Sequence, residues 1–258
     1  MHNSTFNVPG RLGNILVLNI LCSRLSRKYN LKFNYKYLEP SNMLGLSIYT
    51  EGTCEFENTI TFEEDHFEHF IENEQLNSNV YINKWHQTPS NSHQIKKYIL
   101  TPEIRESIIN HNKFKDRYDN NNDVYVHVRL DDVTDFNPGY DYYDSVLKNL
   151  TFDKGYISSD TITHPTCCKL IEKYNLQIVN FEEENNIPLQ NEVLTIMFGS
   201  TCKHIVLSAG TFSFMIGVMS FVSSSLTNVY YHNSNHNSGW GGYIYEFDEW
   251  NCVSTDKV

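Results

Sequence analysis

The sequence predicts an α/β protein built on parallel sheet, and two observations carry that prediction. From Val124 onward, short apolar strands alternate strictly with helix-length segments, the pattern of a parallel sheet with helices on its faces. At the other end, the glycine-bearing turn Gly10-Arg11-Leu12-Gly13-Asn14 leads into a helical stretch, Ile15 to Tyr29, and then a strand-like segment, Leu31 to Tyr35. The chain has 258 residues, of which 40% are apolar and 20% charged. That is enough for two domains of ordinary size and excludes wholesale disorder.

Beyond Pro40 the pattern weakens into polar, acidic sequence, with a helix expected from Pro102 to Phe114. The polar run Asp119-Asn120-Asn121-Asn122-Asp123 reads as a linker. It divides a domain at residues 1–118 from one at 124–258. In the second, Val124 to Arg129 is a β-branched strand, Tyr142 to Leu150 a helix and Lys154 to Ser159 a strand. His164 to Tyr174 suits a helix, with Pro165 in the first turn where its missing N–H is tolerated. The strand Leu176 to Asn180, the helix Asn191 to Ser200 and the strand His204 to Ser208 follow. The helix Phe212 to Phe221 and the strand Asn228 to Tyr231 complete the series.

Charge narrows the function. The chain carries 20 basic and 31 acidic residues, a net −11. A surface this acidic repels phosphate backbones, so nucleic acid is not an expected partner. No run reaches the roughly 18 apolar residues of a spanning helix; Phe212 to Val222 is the longest candidate and suits a buried helix. The N-terminus lacks the plan of a signal peptide, and six cysteines without a framework spacing suit reduced thiols. A cytoplasmic protein without an integral membrane segment is therefore expected.

The acidic residues concentrate in the second part. Residues 124–258 hold 7 basic and 16 acidic groups, and Arg129 is the one arginine among them. It ends an apolar strand, at the edge where open α/β sheets bind ligands. Such an arginine either pairs with a neighbour such as Asp131 or Asp132 or grips an anion, and its planar fork suits a bidentate phosphate. Ser208-Ala209-Gly210-Thr211-Phe212-Ser213 lies between a strand and a helix, so its hydroxyls and amides would sit at a helix N-terminus, a ready phosphate site. The glycines of Gly10-Arg11-Leu12-Gly13-Asn14 would let backbone approach a ligand closely. Three loops thus share one chemistry.

In combination these residues resemble the fucosyltransferase superfamily, and within it most of all the α1,2-fucosyltransferases of glycosyltransferase family 11. The family's Gly-x-Leu-Gly-Asn turn is matched by Gly10-Arg11-Leu12-Gly13-Asn14, and its His-x-Arg-x-Gly-Asp segment by His127-Val128-Arg129-Leu130-Asp131-Asp132. Its strand ending in Ser-Asp is matched by Ser158-Ser159-Asp160, and its Ser/Thr-Phe-Ser helix start by Thr211-Phe212-Ser213. The resemblance implies a GT-B-like architecture, two facing Rossmann-like domains with the donor bound by the C-terminal one. It also implies an inverting transfer of fucose from GDP-fucose to a glycan or glycolipid hydroxyl, with no metal or other cofactor.

Under the same resemblance Arg129 grips the donor β-phosphate, while Thr211 and Ser213, with amides near Ser208, Gly210 and Phe212, hold the phosphates. His127 and Asp160 lie near the base and ribose, and Gly13 and Asn14 near the sugar. Asp131 and Asp132 are the candidates for the base that deprotonates the acceptor. The chain departs from the family where Asp131 replaces its glycine and where Ile15-Leu16-Val17 replaces its Gln-x-Phe. Another donor on the same scaffold, such as UDP-xylose, and an inactive carbohydrate- or nucleotide-binding module are the alternatives.

Overall fold

The computed structural model describes residues 4–63, 66–72, 75–130, 137–181, 189–225, 227–232 and 242–254. The chain divides into two compact units, Met1–His111 and Asn112–Val258. Both are α/β, each with a parallel sheet compatible with a Rossmann-like fold.

In the first unit, β1 (Ser4–Phe6) leads to α1 (Leu12–Tyr29), β2 (Phe33–Asn34) and α2 (Leu38–Met43). Then come β3 (Thr59–Thr61), α3 (His66–Glu72), β4 (Asn79–Ile82), α4 (Pro89–Ile99) and α5 (Pro102–His111). The strands order β2-β1-β4-β3, every pair parallel. Helix α1 begins three residues before the expected Ile15 and is buried along most of its length, from Leu12 to Ser26. It ends where Asn30 turns left-handed at φ 53°, returning its N–H to the Ser26 carbonyl. Arg27 and Lys28 lie in its last turn, where positive charge suits the helix dipole. Thr88 caps α4 by accepting the Asn91 N–H at 3.2 Å, with Pro89 in the first turn.

The second unit contains β5 (Val124–Val128), α6 (Tyr140–Leu147), β6 (Gly155–Ser159), α7 (Pro165–Tyr174) and β7 (Gln177–Ile178). It continues with α8 (Gln190–Gly199), β8 (His204–Val206), α9 (Thr211–Met219), β9 (Asn228–His232) and β10 (Asn251–Val253). Its sheet runs β10-β9-β8-β5-β6-β7, all parallel. Counted from β5, that is the order 3-2-1-4-5-6 of a dinucleotide-binding fold. Strand β5 is buried at all five positions, which explains its near-continuous apolar reading. Tyr142 and Tyr143 of α6 pack on it with Ile157, Cys167 and Leu170. A second, aromatic cluster gathers Phe214 of α9 with Tyr245, Phe247 and Trp250.

The expected linker is not one. Asp119-Asn120-Asn121-Asn122-Asp123 belongs to the second unit, held there by side-chain hydrogen bonds that composition does not reveal. Asn121 donates to the Thr201 carbonyl at 2.9 Å and accepts from the Asp123 N–H at 3.0 Å. Asp119 accepts from the Ser223 hydroxyl and from the N–H groups of Ser224 and Ser225. Burial works against its charge, but these bonds outweigh it and hold the carboxyl below the usual range. Arg117 joins the same seam, bonding Asp123 at 2.8 Å and Thr201 at 3.1 Å with its guanidinium 4.5 Å from the Phe198 ring centroid. Among the described residues, no helix is long and apolar enough to cross a membrane.

Candidate functional site

Neighbouring β5 and β8 mark the point where the strand order of the second sheet reverses, because the chain leaves β5 toward β6 and later proceeds from β8 toward β9. A crevice opens outside the carboxyl ends of strands at such a point, and open α/β sheets bind ligands there. Arg129 follows β5, Ser208 to Gly210 follow β8, and Asp160 follows β6.

Backbone bonds fix this edge. The Arg129 N–H donates to the Ser208 hydroxyl at 3.1 Å, and its carbonyl accepts from the Asn137 amide at 2.6 Å. The Leu130 N–H donates to Asp160 Oδ1 at 2.9 Å. Beside Arg129, Gly210 has φ +99°, and a Cβ placed on it would lie 2.0 Å from Arg129 Nη1. Glycine is required there by its backbone conformation, and an added methyl would displace the guanidinium beside it, the movable end of a flexible side chain. Helix α9 starts at the next residue with no acidic group in its first turn, so its N-terminal amides keep their positive end for an anion. An arginine fork beside a helix start can stabilise a diphosphate.

Gly210→Ala, at φ 99° and ψ 162°, is accordingly expected to cost about 1–3 kcal/mol in backbone strain and to push the guanidinium out of place. Melting curves read the first effect and anion titration the second. In an Arg129→Ala background the steric part should vanish while the backbone part persists.

His127 and Ser213 have interior positions. His127 is 6% exposed and Ser213 0%. His127 Nδ1 lies 2.5 Å from Ser213 Oγ, which also accepts the Ser208 N–H at 3.1 Å. The Ser213 hydroxyl, expected at the phosphates, therefore works from inside the loop and ties β5 to the turn after β8. The His127 ring also packs against Phe212, centroids 5.2 Å apart. Burial lowers its pKa to about 4, with Asp160 opposing and Arg129 assisting. Thr211, at the helix start, is buried at 6% exposure like His127, and Asp160 is exposed with its carboxylate engaged by Leu130. Asp131 and Asp132 lie outside the described residues.

The first unit repeats the logic on its own sheet. Its order reverses between β1 and β4, and Gly10 to Asn14 follow β1. Gln87, in the loop after β4, donates to Asn14 Oδ1 at 2.9 Å. A Cβ on Gly10 would lie 2.5 Å from the Trp85 ring, so that glycine admits an aromatic. Gly13 is buried in the first turn of α1. No motif or spacing in the sequence marks Trp85, Gln87, Asn137 or Tyr245.

The structure thus brings Arg129, Asp160, Ser208, Gly210 and Thr211 to one sheet edge, with His127 and Ser213 beneath it, and places Gly13 and Asn14 on the edge of another. Compared with known proteins, the chain matches no family model and no curated protein.

Proposed function

We propose that this protein is an inverting, metal-independent glycosyltransferase that moves a sugar, fucose by preference, from GDP-fucose to a hydroxyl of a glycan or glycolipid. The single observation that supports it most is the Arg129 guanidinium lying against Gly210 at the start of α9, where the sheet order reverses. The proposal includes the GT-B arrangement that the resemblance implies, with the donor bound by the second unit.

In the reaction, the C1–O bond to the β-phosphate breaks as the acceptor oxygen bonds to C1 from the opposite face. The electron pair of the broken bond leaves on the nucleoside diphosphate. Charge therefore grows on the phosphate oxygen, and preorganised donors aimed at it lower the barrier. Arg129 and the first amides of α9 are the groups assigned to that task. The acceptor hydroxyl loses its proton to a base, for which Asp131 and Asp132 remain the candidates. His127, neutral and inside, holds Ser213 and the loop rather than exchanging protons.

A thermal-shift series with GDP, UDP, GDP-fucose, UDP-xylose and a free glycan tests the reading. Ligand at 100 times its Kd stabilises a protein by about 2.7 kcal/mol, so GDP and GDP-fucose should raise the melting temperature clearly. Preference for UDP and UDP-xylose would move the donor assignment. A response to glycan alone, or to none of these, would remove the enzyme.

A further inference from the structure

We infer that Tyr245 is a positioning residue for the anion loop, fixing from below the backbone that faces Arg129; the inference rests on the proposed function. Tyr245 stands in the single helical turn Gly242–Tyr245, far from every motif read in the sequence. Its side chain is 1% exposed. The ring is wedged between Tyr231, stacked at 5.6 Å, Phe214, edge-on at 6.1 Å, and Trp250 at 6.0 Å.

The aromatic packing brings the hydroxyl to two carbonyls of the loop, Ser208 at 3.1 Å and Gly210 at 2.6 Å. One O–H shared between two carbonyls sets the orientation of two peptide planes. In a trans peptide the carbonyl and the following N–H point in opposite directions. Holding the carbonyls of Ser208 and Gly210 toward Tyr245 therefore turns the N–H groups of Ala209 and Thr211 away from it. The Gly210 carbonyl also accepts the Phe214 N–H at 3.1 Å as the first bond of α9, so the same capture starts the helix in register. Two amides turned to the same side can donate to one anion, and the Arg129 guanidinium lies against the intervening Gly210.

Tyr245 thus touches no ligand and acts through the loop. A plain packing role would reside in the ring. A positioning role resides in the hydroxyl, which Tyr245→Phe removes while keeping the aromatic contacts. Calorimetric titration with inorganic pyrophosphate and with GDP should show Y245F binding each about tenfold more weakly, the loss that one orienting hydrogen bond carries, and melting curves should show it unfolding a few degrees lower, because the buried Ser208 carbonyl loses this donor. A double-mutant cycle with Arg129→Lys should be non-additive, because both residues act on one loop; a merely structural tyrosine gives additive losses. In the unmodified protein, pyrophosphate should slow hydrogen exchange in the 208–214 segment, a measurement independent of how any variant folds.

Binding by Y245F within twofold of the unmodified protein, additivity in the cycle, or unchanged exchange in that segment overturns the assignment while leaving the proposed function standing. If the unmodified protein binds neither pyrophosphate nor GDP, the proposed function falls and the assignment falls with it.

Discussion

Arg129→Ala is expected to fold like the unmodified protein and to lose sugar transfer by about 10²–10³-fold, or ~3–4 kcal/mol of transition-state stabilisation. The fold should survive because what anchors this edge is backbone. The Arg129 N–H, the Arg129 carbonyl and the Leu130 N–H are held by Ser208, Asn137 and Asp160, and none of these bonds needs the guanidinium. Truncation removes a half-buried side chain at a sheet end and leaves β5 fully packed. The chemistry should not survive, because Arg129 is the one arginine between residues 124 and 258. The remaining basic residues of that part are lysines, which cannot supply a planar fork. Arg129→Lys should recover part of the affinity for GDP and less of the rate, since a point charge steadies the bound phosphate without matching the geometry that develops on departure. Circular dichroism and melting curves check the fold, calorimetry with GDP the binding, and a radiolabelled-donor assay the transfer. Native-like turnover in Arg129→Ala would sink the mechanism outright.

How much of this was legible depended on where each part keeps its information. The second sheet could be read because β5 and β8 are apolar runs set off by polar turns, and because Pro165 marks the opening of α7. The first sheet was largely hidden. Its β1 and β3 are three residues each and β4 is four, too short for any periodicity to show. They exist by pairing with one another, as in the Thr59–Asn79 and Thr5–Tyr81 registers. The polar run at Asp119 failed as a linker for a related reason: Asn and Asp look like loop by composition, yet their side chains can close a seam with backbone from distant segments.

The site divides the same way. Arg129 and the Ser208-to-Ser213 turn stood out because their chemistry is local to a strand end and a helix start. Gln87 reaches Asn14 across 73 positions, and Tyr245 reaches Ser208 through the aromatic cluster. Neither leaves a spacing to find. The interior placement of His127 was also beyond reach, because β5 is buried on both faces and offers no alternation to say which side chains point to a ligand.

Acid should destabilise the protein through His127 before most carboxylates titrate. Its imidazole is neutral in the folded state, with a pKa lowered to about 4 chiefly by burial; Asp160 favours the charge and Arg129 disfavours it. Asp160 does not win, since it is exposed and its carboxylate already accepts the Leu130 N–H. In the unfolded chain the same imidazole titrates near its ordinary value of about 6.5. Between those two values the unfolded state binds more protons than the folded one, so stability rises with pH. The contribution is complete above about 6.5, declines by up to ~1.4 kcal/mol per pH unit below that, and is lost by about pH 4, roughly 3 kcal/mol in total. Denaturant unfolding of the unmodified protein and of His127→Asn, compared at several pH values from 7 down to 4.5, isolates this group, because the titrations common to both chains cancel in the difference. The asparagine keeps a polar partner for Ser213 and should flatten that part of the curve. It should also be less stable at pH 7, where the neutral imidazole packs best, and should lose its disadvantage as the pH falls. Parallel stability curves for the two proteins across that window, or an imidazole resonance of His127 that titrates near 6.5 in the native state, would show that the ring is not buried neutral beneath the loop.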